Sequence, residues 1–483
     1  MKKLLPRSLA ILLALLFSFA PAWATCGGGG GGGVGGMSGG GGDMKVYYVP
    51  WKVRAPQDPP VTMGLVLYWF PATTEEVQKS SLRASRTLSL YAAQCVSMEL
   101  ADYRTDTGKK LIGDSKPPLA VLATPDGTTV SKIENKDGKL NVSDVEKLVD
   151  NEIKKRESAL DQQLKDGKDK AKAGDNEAAI KLFRAVQGEK CMFPGKAKDA
   201  AKELKKLGVT DVAEVEAVPV FDARQSAQIE RIMTAGLHAE MTARYVAAER
   251  LYTRAHLLDR ADPTPLRYLG ELYRHHIGDW ARARATFEAI LHMPADPLSR
   301  AVAQHGLGKM TIHEGEFKQG LALMEASVET YPLALAYRNL AVYWNSEGDA
   351  VKTDYYVQKA LALEPRDPYN LVFAAVFKAA SGHGDEALQI ARANEALLPA
   401  SYNLAAIYAQ NGQRDKALAL LRRHFFMYER YNSVRAKEMM EARVDAVFNS
   451  LREDPTFIAL TKDADGRLPM PTKTMGTPSS MNK

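Results

Sequence analysis

A glycine returns through the second half of the chain at positions 278, 315, 348, 382 and 412, at intervals of 37, 33, 34 and 30 residues. Five residues after four of these glycines stands a small residue, and four further on a large apolar one. The pairs are Ala283 with Phe287, Gly320 with Met324, Thr353 with Val357 and Ala417 with Leu421; Gly382 is followed by Ala387. One period upstream, Gly236, Ala248, Tyr252 and Ala255 make an earlier copy. Strand signals vanish here, and Ala, Leu, Arg and Tyr recur at helical spacing. A period near 34 residues means one helical pair repeated, because a single pair cannot bury its own apolar face and must stack on its neighbours. The small residues let two helices approach, the large ones fill the gap beside them, and the glycine ends the first helix.

About six such copies, with Leu307-Gly308, Leu340-Ala341 and Leu404-Ala405 in first helices and Pro332, Pro365 and Pro399 after second helices, resemble the tetratricopeptide repeat. Two loop lengths depart from it: Tyr273 to Gly278 is one residue longer than usual, and the last interval is four short. A weaker copy is carried by Gly167, Gly174, Ala179 and Phe183. An insertion around Cys191–Gly195 and a Lys-rich helix near Lys196–Leu207 follow it. The reading divides this part into a helical connector with a degenerate repeat (156–228), an all-α solenoid (229–435) and C-terminal capping helices (436–462).

Residues 44–155 read differently. Lys45–Val53 is β-rich, and Met63–Phe70 is a continuous apolar run, as expected of a strand covered on both faces. Thr73 and Glu76 form a capping box opening a helix to about Gln94. Cys95–Ala101 is a further strand, followed by a polar loop. Leu119–Thr124, a turn at Pro125-Asp126-Gly127 and a strand to Ile133 make a hairpin. Ser143 and Glu146 form a second capping box for a helix through about Ile153. This order, with Pro118 leading the hairpin, resembles the thioredoxin-like fold over roughly 105 residues. The resemblance implies a cis peptide at Pro118. The family's Cys-x-x-Cys would fall within Phe70–Glu76, where no sulfur is present, so thiol–disulfide exchange loses its essential atoms. The expected fold class is therefore multidomain, an α/β thioredoxin-like domain followed by an all-α repeat solenoid.

The ends of the chain carry an address. Lys2, Lys3 and Arg7 precede the apolar run Leu9–Ala20, and Ala22-Trp23-Ala24 offers a small-x-small cleavage site, so residues 1–24 read as a secretory signal. Cleavage after Ala24 and lipid attachment at Cys26 both stand as readings, although Trp23 and Thr25 depart from the lipoprotein pattern. In segment 25–43, residues 27–42 hold 13 glycines among 16 residues, a flexible tether. The tail 463–483 reads as disordered. The expected address is beyond the inner membrane, in the periplasm or lipid-anchored to the envelope. Membrane contact would come only through such an anchor or a retained signal.

Little in the sequence carries catalysis. Three cysteines make neither a disulfide scaffold nor a four-thiolate zinc site. All nine histidines lie in the repeats, and the adjacent pair His275-His276 points about 100° apart on a helix, unsuited to one ion. No metal, cofactor or nucleotide loop is expected. The formal charge of +6 is half targeting signal, and residues 150–206 carry 15 Lys and Arg against 11 Asp and Glu on helical faces, so nucleic-acid binding is not expected.

Counting back from each glycine places Arg267, Arg274, His275, His305, Lys309 and His313 in the repeat groove, and further along it Arg338, Asn339 and Asn403 beside apolar neighbours. A basic groove favours a protein or peptide that is acidic or has a free C-terminus. The expected function is a non-enzymatic, protein-binding adaptor or scaffold with a redox-inactive thioredoxin-like domain. The alternative is an atypical thiol-dependent oxidoreductase or peroxide handler using Cys95 or Cys191.

Overall fold

The computed structural model describes residues 45–53, 60–215, 225–428 and 432–462. The signal, the glycine tether with Cys26, and the C-terminal tail lie outside these residues. The described chain is a small four-stranded α/β unit followed by a long all-helical region. Among the described residues, no helix is long and apolar enough to cross a membrane.

The sheet has strands β1 (Leu65–Phe70), β2 (Val96–Leu100), β3 (Leu119–Ala123) and β4 (Thr129–Glu134), in the order β2-β1-β3-β4. β1 runs parallel to β2 and antiparallel to β3, and β3 and β4 form the hairpin. β1 is almost wholly buried, as its unbroken apolar run requires. The Pro117–Pro118 peptide before β3 is cis.

Several local expectations are corrected. The helix expected from Thr73 to Gln94 is broken into α1 (Thr74–Lys79), a 3-10 turn at Ser81–Arg83 and α2 (Arg86–Ala93). Two extra serines explain the break, since Ser80 Oγ accepts from Leu82 N and Ser85 Oγ from Leu88 N, each starting a new turn. The loop after β2 contains α3 (Asp106–Ile112), capped by Thr105 and burying Leu111 and Ile112. The second capping box does not form. α4 (Val142–Lys172) starts at Asn141, and Glu146 instead accepts from Ser85 Oγ at 2.6 Å.

Lys45–Val53 is extended but makes only one bridge, Lys52 beside Glu99 of β2. Its two ends serve two cores. Val49 and Trp51 pack with the sheet, while Val46 and Tyr47 pack among the helices beyond. Its backbone therefore bonds piecemeal, to Arg83 O, Met98 O and Leu100 N, rather than along a ladder.

The boundary expected at 155/156 falls inside α4, which is continuous for 31 residues. α4, α5 (Asn176–Gly188) and α6 (Pro194–Lys206) share the core of the sheet through Leu160, Leu164, Phe183 and Leu204. Cys95, at φ +65° just before β2 and half-buried, is bonded to Cys191 ahead of α6. That disulfide fastens the sheet to the helices that follow it.

Six helical pairs come next. They are α7 (Ser226–Met241) with α8 (Tyr245–Leu258), α9 (Thr264–Glu271) with α10 (Trp280–His292), and α11 (Pro297–His313) with α12 (Phe317–Thr330). Then follow α13 (Ala334–Ser346) with α14 (Ala350–Leu363), α15 (Pro368–Ala380) with α16 (Gly384–Asn394), and α17 (Tyr402–Gln410) with α18 (Arg414–Arg423). The glycines at 278, 315, 348, 382 and 412 all have positive φ and end the first helix of a pair. The extra residue before Gly278 is absorbed by a π-helical turn at Leu272–Ile277 that continues α9. A second π-helical turn, His424–Tyr428, follows α18. After it come α19 (Asn432–Val444), a 3-10 turn at Ala446–Leu451 and α20 (Pro455–Leu460). The last two elements cover the end of the array, with Phe448 and Phe457 in its core. α19 joins the same core through Met439 and Ala442 and also lies against the first π-helical turn at Leu272–Ile277.

Candidate functional site

The first helices of the pairs place several of the expected groove residues together. Arg274 and His275 lie on the π-helical turn, His305, Lys309 and His313 on α11, and Asn339 on α13. The π turn matters because it shifts these side chains relative to a regular helix and buries Arg274, His275 and His276 side by side.

The cluster is basic and largely dry. Arg274 donates from Nη2 to Glu271 Oε2 at 2.6 Å, with both side chains buried. Asn339 donates from Nδ2 to His305 Nε2 at 2.8 Å. His275 is 4% exposed, and its Nε2 has no hydrogen-bond partner. Burial pushes the His275 imidazolium well below the usual histidine range, and the charges of His276, Arg274, Lys309 and His424 push the same way. Burial then Arg274, Lys309 and Arg338 do likewise to His305. His276 stacks on Tyr245 with ring centres 4.5 Å apart, and burial lowers it to about 3. These imidazoles are neutral at physiological pH. Lys309 is lowered by burial and by Arg274, against the pull of Glu441, Glu438 and Glu271.

Those last carboxylates identify residues that the sequence reading missed. α19 sets Glu438 and Glu441 against the cluster. His313 Nε2 is 3.2 Å from Glu441 Oε1, and His424 Nε2 is 3.0 Å from Glu438 Oε2. Tyr402 of α17 donates to Asp445 at 3.0 Å. Burial and the Glu441 charge raise Tyr343 of α13 above the ordinary phenol range. α19 lies against the first π-helical turn and sets one carboxylate against His313 of α11 and one against His424, while Asp445, just past its end, meets Tyr402 of α17. The spacing of Glu438 and Glu441 (i, i+3) was legible as one helical face, whereas Asp445 lies past the end of the helix in extended backbone. What the sequence withheld is that this helix, while covering the last repeats with Met439 and Ala442, also reaches the first π-helical turn.

Other expected groove residues are apart from the cluster. Arg267 is 1% exposed and lies over the Tyr268 ring, where its Nη1 donates to Ser299 Oγ at 3.4 Å while Nε and Nη2 lack partners. Arg338 bonds Asn370 Oδ1 and lies 3.9 Å from Asp367. Asn403 is half-buried on α17. Among the described residues, no group of three or more His, Cys, Asp or Glu side chains could hold a metal ion.

A second polar focus joins the α/β unit to the helices. Arg86 of α2 is fully buried and pairs with both Asp259 and Asp262, the latter at 3.0 Å, and donates to Ser226 Oγ at 2.7 Å. Tyr47 donates to Asp262 at 2.7 Å. These are structural contacts between distant parts of the chain.

In comparisons with known proteins, no family model and no curated protein matches the chain.

Proposed function

We propose that this protein is a secreted, periplasmic or envelope-anchored adaptor that binds another protein along the first helices of its repeats. In this reading the α/β unit is a thioredoxin-like domain without the redox dithiol, and the six pairs are a tetratricopeptide solenoid. The observation that carries the binding role is the convergence of Arg274, His275, His305 and Lys309 from different repeats at one place. Stability alone does not call for such a cluster. Of the four, Arg274 is paired with Glu271 and the two imidazoles are neutral, which leaves Lys309 and the ring nitrogens as polar groups that an acidic ligand could engage. The recurring left-handed glycines support the repeat assignment. The four-stranded mixed sheet and its hairpin support the thioredoxin-like one.

Arg267 and Arg274 are unsuited to a test, because a carboxylate at either position would be buried and would disturb the fold. Lys309 and His313 lie nearer the edge. The test is to crosslink the full-length protein in its native envelope, with and without Lys309→Glu and His313→Glu together. Loss of one or more specific crosslinked proteins is expected. An unchanged set overturns the reading.

A further inference from the structure

The π-helical turn at Leu272–Ile277 buries His275 with one ring nitrogen unserved. The residue is 4% exposed, its Nε2 has no hydrogen-bond partner, and the His276 ring stands with its centre 4.9 Å away. His305 of α11, 1% exposed, is held neutral by a different device. Asn339 Nδ2 lies 2.8 Å from its Nε2, and an amide nitrogen only donates, so this ring nitrogen must stay bare to accept. A proton there breaks the bond and sets two donors against each other.

A proton added to either ring finds no counterion. Arg274, Lys309, His276 and His424 act on His275, and Arg274, Lys309 and Arg338 on His305; no acid is among them. The acids of the neighbouring elements are engaged elsewhere. Glu271 pairs with Arg274 at 2.6 Å. Glu240 of α7 accepts from the Tyr252 hydroxyl at 2.7 Å and lies 3.7 Å from His276, on which Tyr245 of α8 stacks. Glu438 and Glu441 of α19 meet His424 and His313, and the same helix adds Arg435 and Arg443. Among the described residues, no carboxylate stands within 4 Å of a ring nitrogen of His275 or His305.

We propose that the π turn is an acid-operated latch: proton uptake by His275 and His305 expels the turn from its place and opens the groove cluster. The inference rests on the groove reading for what the latch controls. The bonds that opening breaks are those that tie the turn's backbone, from Trp280 Nε1 to Arg274 O at 3.1 Å and from Asp279 N to Tyr273 O at 2.9 Å. Burial holds both imidazoles below the ordinary value of about 6.5 while the turn is closed. The closed form is therefore favoured in full above pH 6.5 and loses ground as pH falls below it. A ring that regains its ordinary value on opening multiplies the open-to-closed ratio about 25-fold between pH 7 and 5, and two such rings about 600-fold.

Hydrogen exchange of the full-length protein, followed by mass spectrometry and corrected for the pH dependence of the exchange chemistry, reads that ratio in the peptide over 272–279. From pH 7 to 5 the protection of this peptide in wild type is expected to fall at least a hundredfold, while a peptide over β3 changes less than threefold. His305→Gln, which keeps an acceptor for Asn339, is expected to make the fall about 25-fold smaller. The double variant His275→Gln/His305→Gln is expected to be flat to within fivefold. Circular dichroism at pH 7 checks that each variant is folded, and the single variant decides where the double one is not. A smaller fall in wild type, an equal fall over β3, or an undiminished fall in His305→Gln overturns the proposal. These measurements need no partner, so a flat profile sinks the latch and leaves the crosslinks of the groove reading untouched. Unchanged crosslinks in Lys309→Glu/His313→Glu sink that reading while acid opening of the turn still stands.

Discussion

Glycine does two different jobs in this chain, and the distinction is set by what surrounds each residue. At Gly315, Gly348, Gly382 and Gly412 an added Cβ would meet nothing within 4 Å, yet φ lies between +70° and +99°. These residues are needed for backbone conformation alone. At Gly270 and Gly306 the backbone is ordinary, but a Cβ would stand 2.3 Å from the Phe287 ring. The first kind was legible in the sequence, because it recurs at a fixed period. The second required knowing which aromatic lies opposite. Ala243 tests the first job. It ends α7 at φ +56°, with Ala243 N bonded to Glu240 O and Arg244 N to Ala239 O, where later pairs have glycine. A left-handed non-glycine residue costs about 1–2 kcal/mol, partly offset by the entropy glycine loses on folding. Ala243→Gly is therefore expected to stabilise the protein by about 0.5–1 kcal/mol, read as a higher urea midpoint in circular dichroism. A lower midpoint would refute the account.

Whole elements were legible where one local signal acted alone. The strands β1, β3 and β4 and the helical pairs followed from apolar runs and the period. Failures arose where local signals competed or a distant partner decided the outcome. Ser80 and Ser85 break a helix that hydrophobic spacing alone would continue. Glu146 forsakes its own helix start for Ser85. Lys45–Val53 has strand composition but divides its side chains between two cores. The one-residue excess before Gly278 was visible as a length, but its consequence, a π turn that carries Arg274 and His275 into the cluster, was not. The pairs themselves are held by interlocked small and large residues. Phe287 of α10 sits between Gly270 of α9 and Gly306 of α11, and so fixes three helices at once. Gly306→Ala is expected to destabilise by about 1–3 kcal/mol, since neither the ring nor α11 can yield without disturbing a further contact. Phe287→Leu in the same background should recover part of the loss in chemical denaturation, which a helix-propensity effect would not allow, because alanine favours helix over glycine.

The molecule as a whole is tied together by contacts between residues far apart in sequence, and this is where sequence reading had least purchase. Cys95 and Cys191, each offered by the sequence as the reactive thiol of an alternative function, are bonded to each other at a sequence separation of 96. Arg86 in α2 is the more informative tie. Its guanidinium is enclosed with Asp259, Asp262, Ser226 and Tyr47, so that the α/β unit, the extended segment and the first two helical pairs meet at one buried charge. Nothing near Arg86 in sequence announces this, because its partners lie 173 and 176 residues away. Forming such a cluster gains little net energy against an apolar contact of equal size, but removing one member leaves the others charged and dry. Arg86→Ala is expected to cost about 3–5 kcal/mol. In calorimetry the loss should appear as a lower first transition, with the α/β unit and the helical region separating into distinct steps. Adding Asp259→Asn and Asp262→Asn should restore part of the stability, because they remove the carboxylates that the arginine had neutralised. If the triple variant melts no higher than Arg86→Ala alone, the arginine acts through packing of its side chain rather than through its charge, and the electrostatic account of the junction fails.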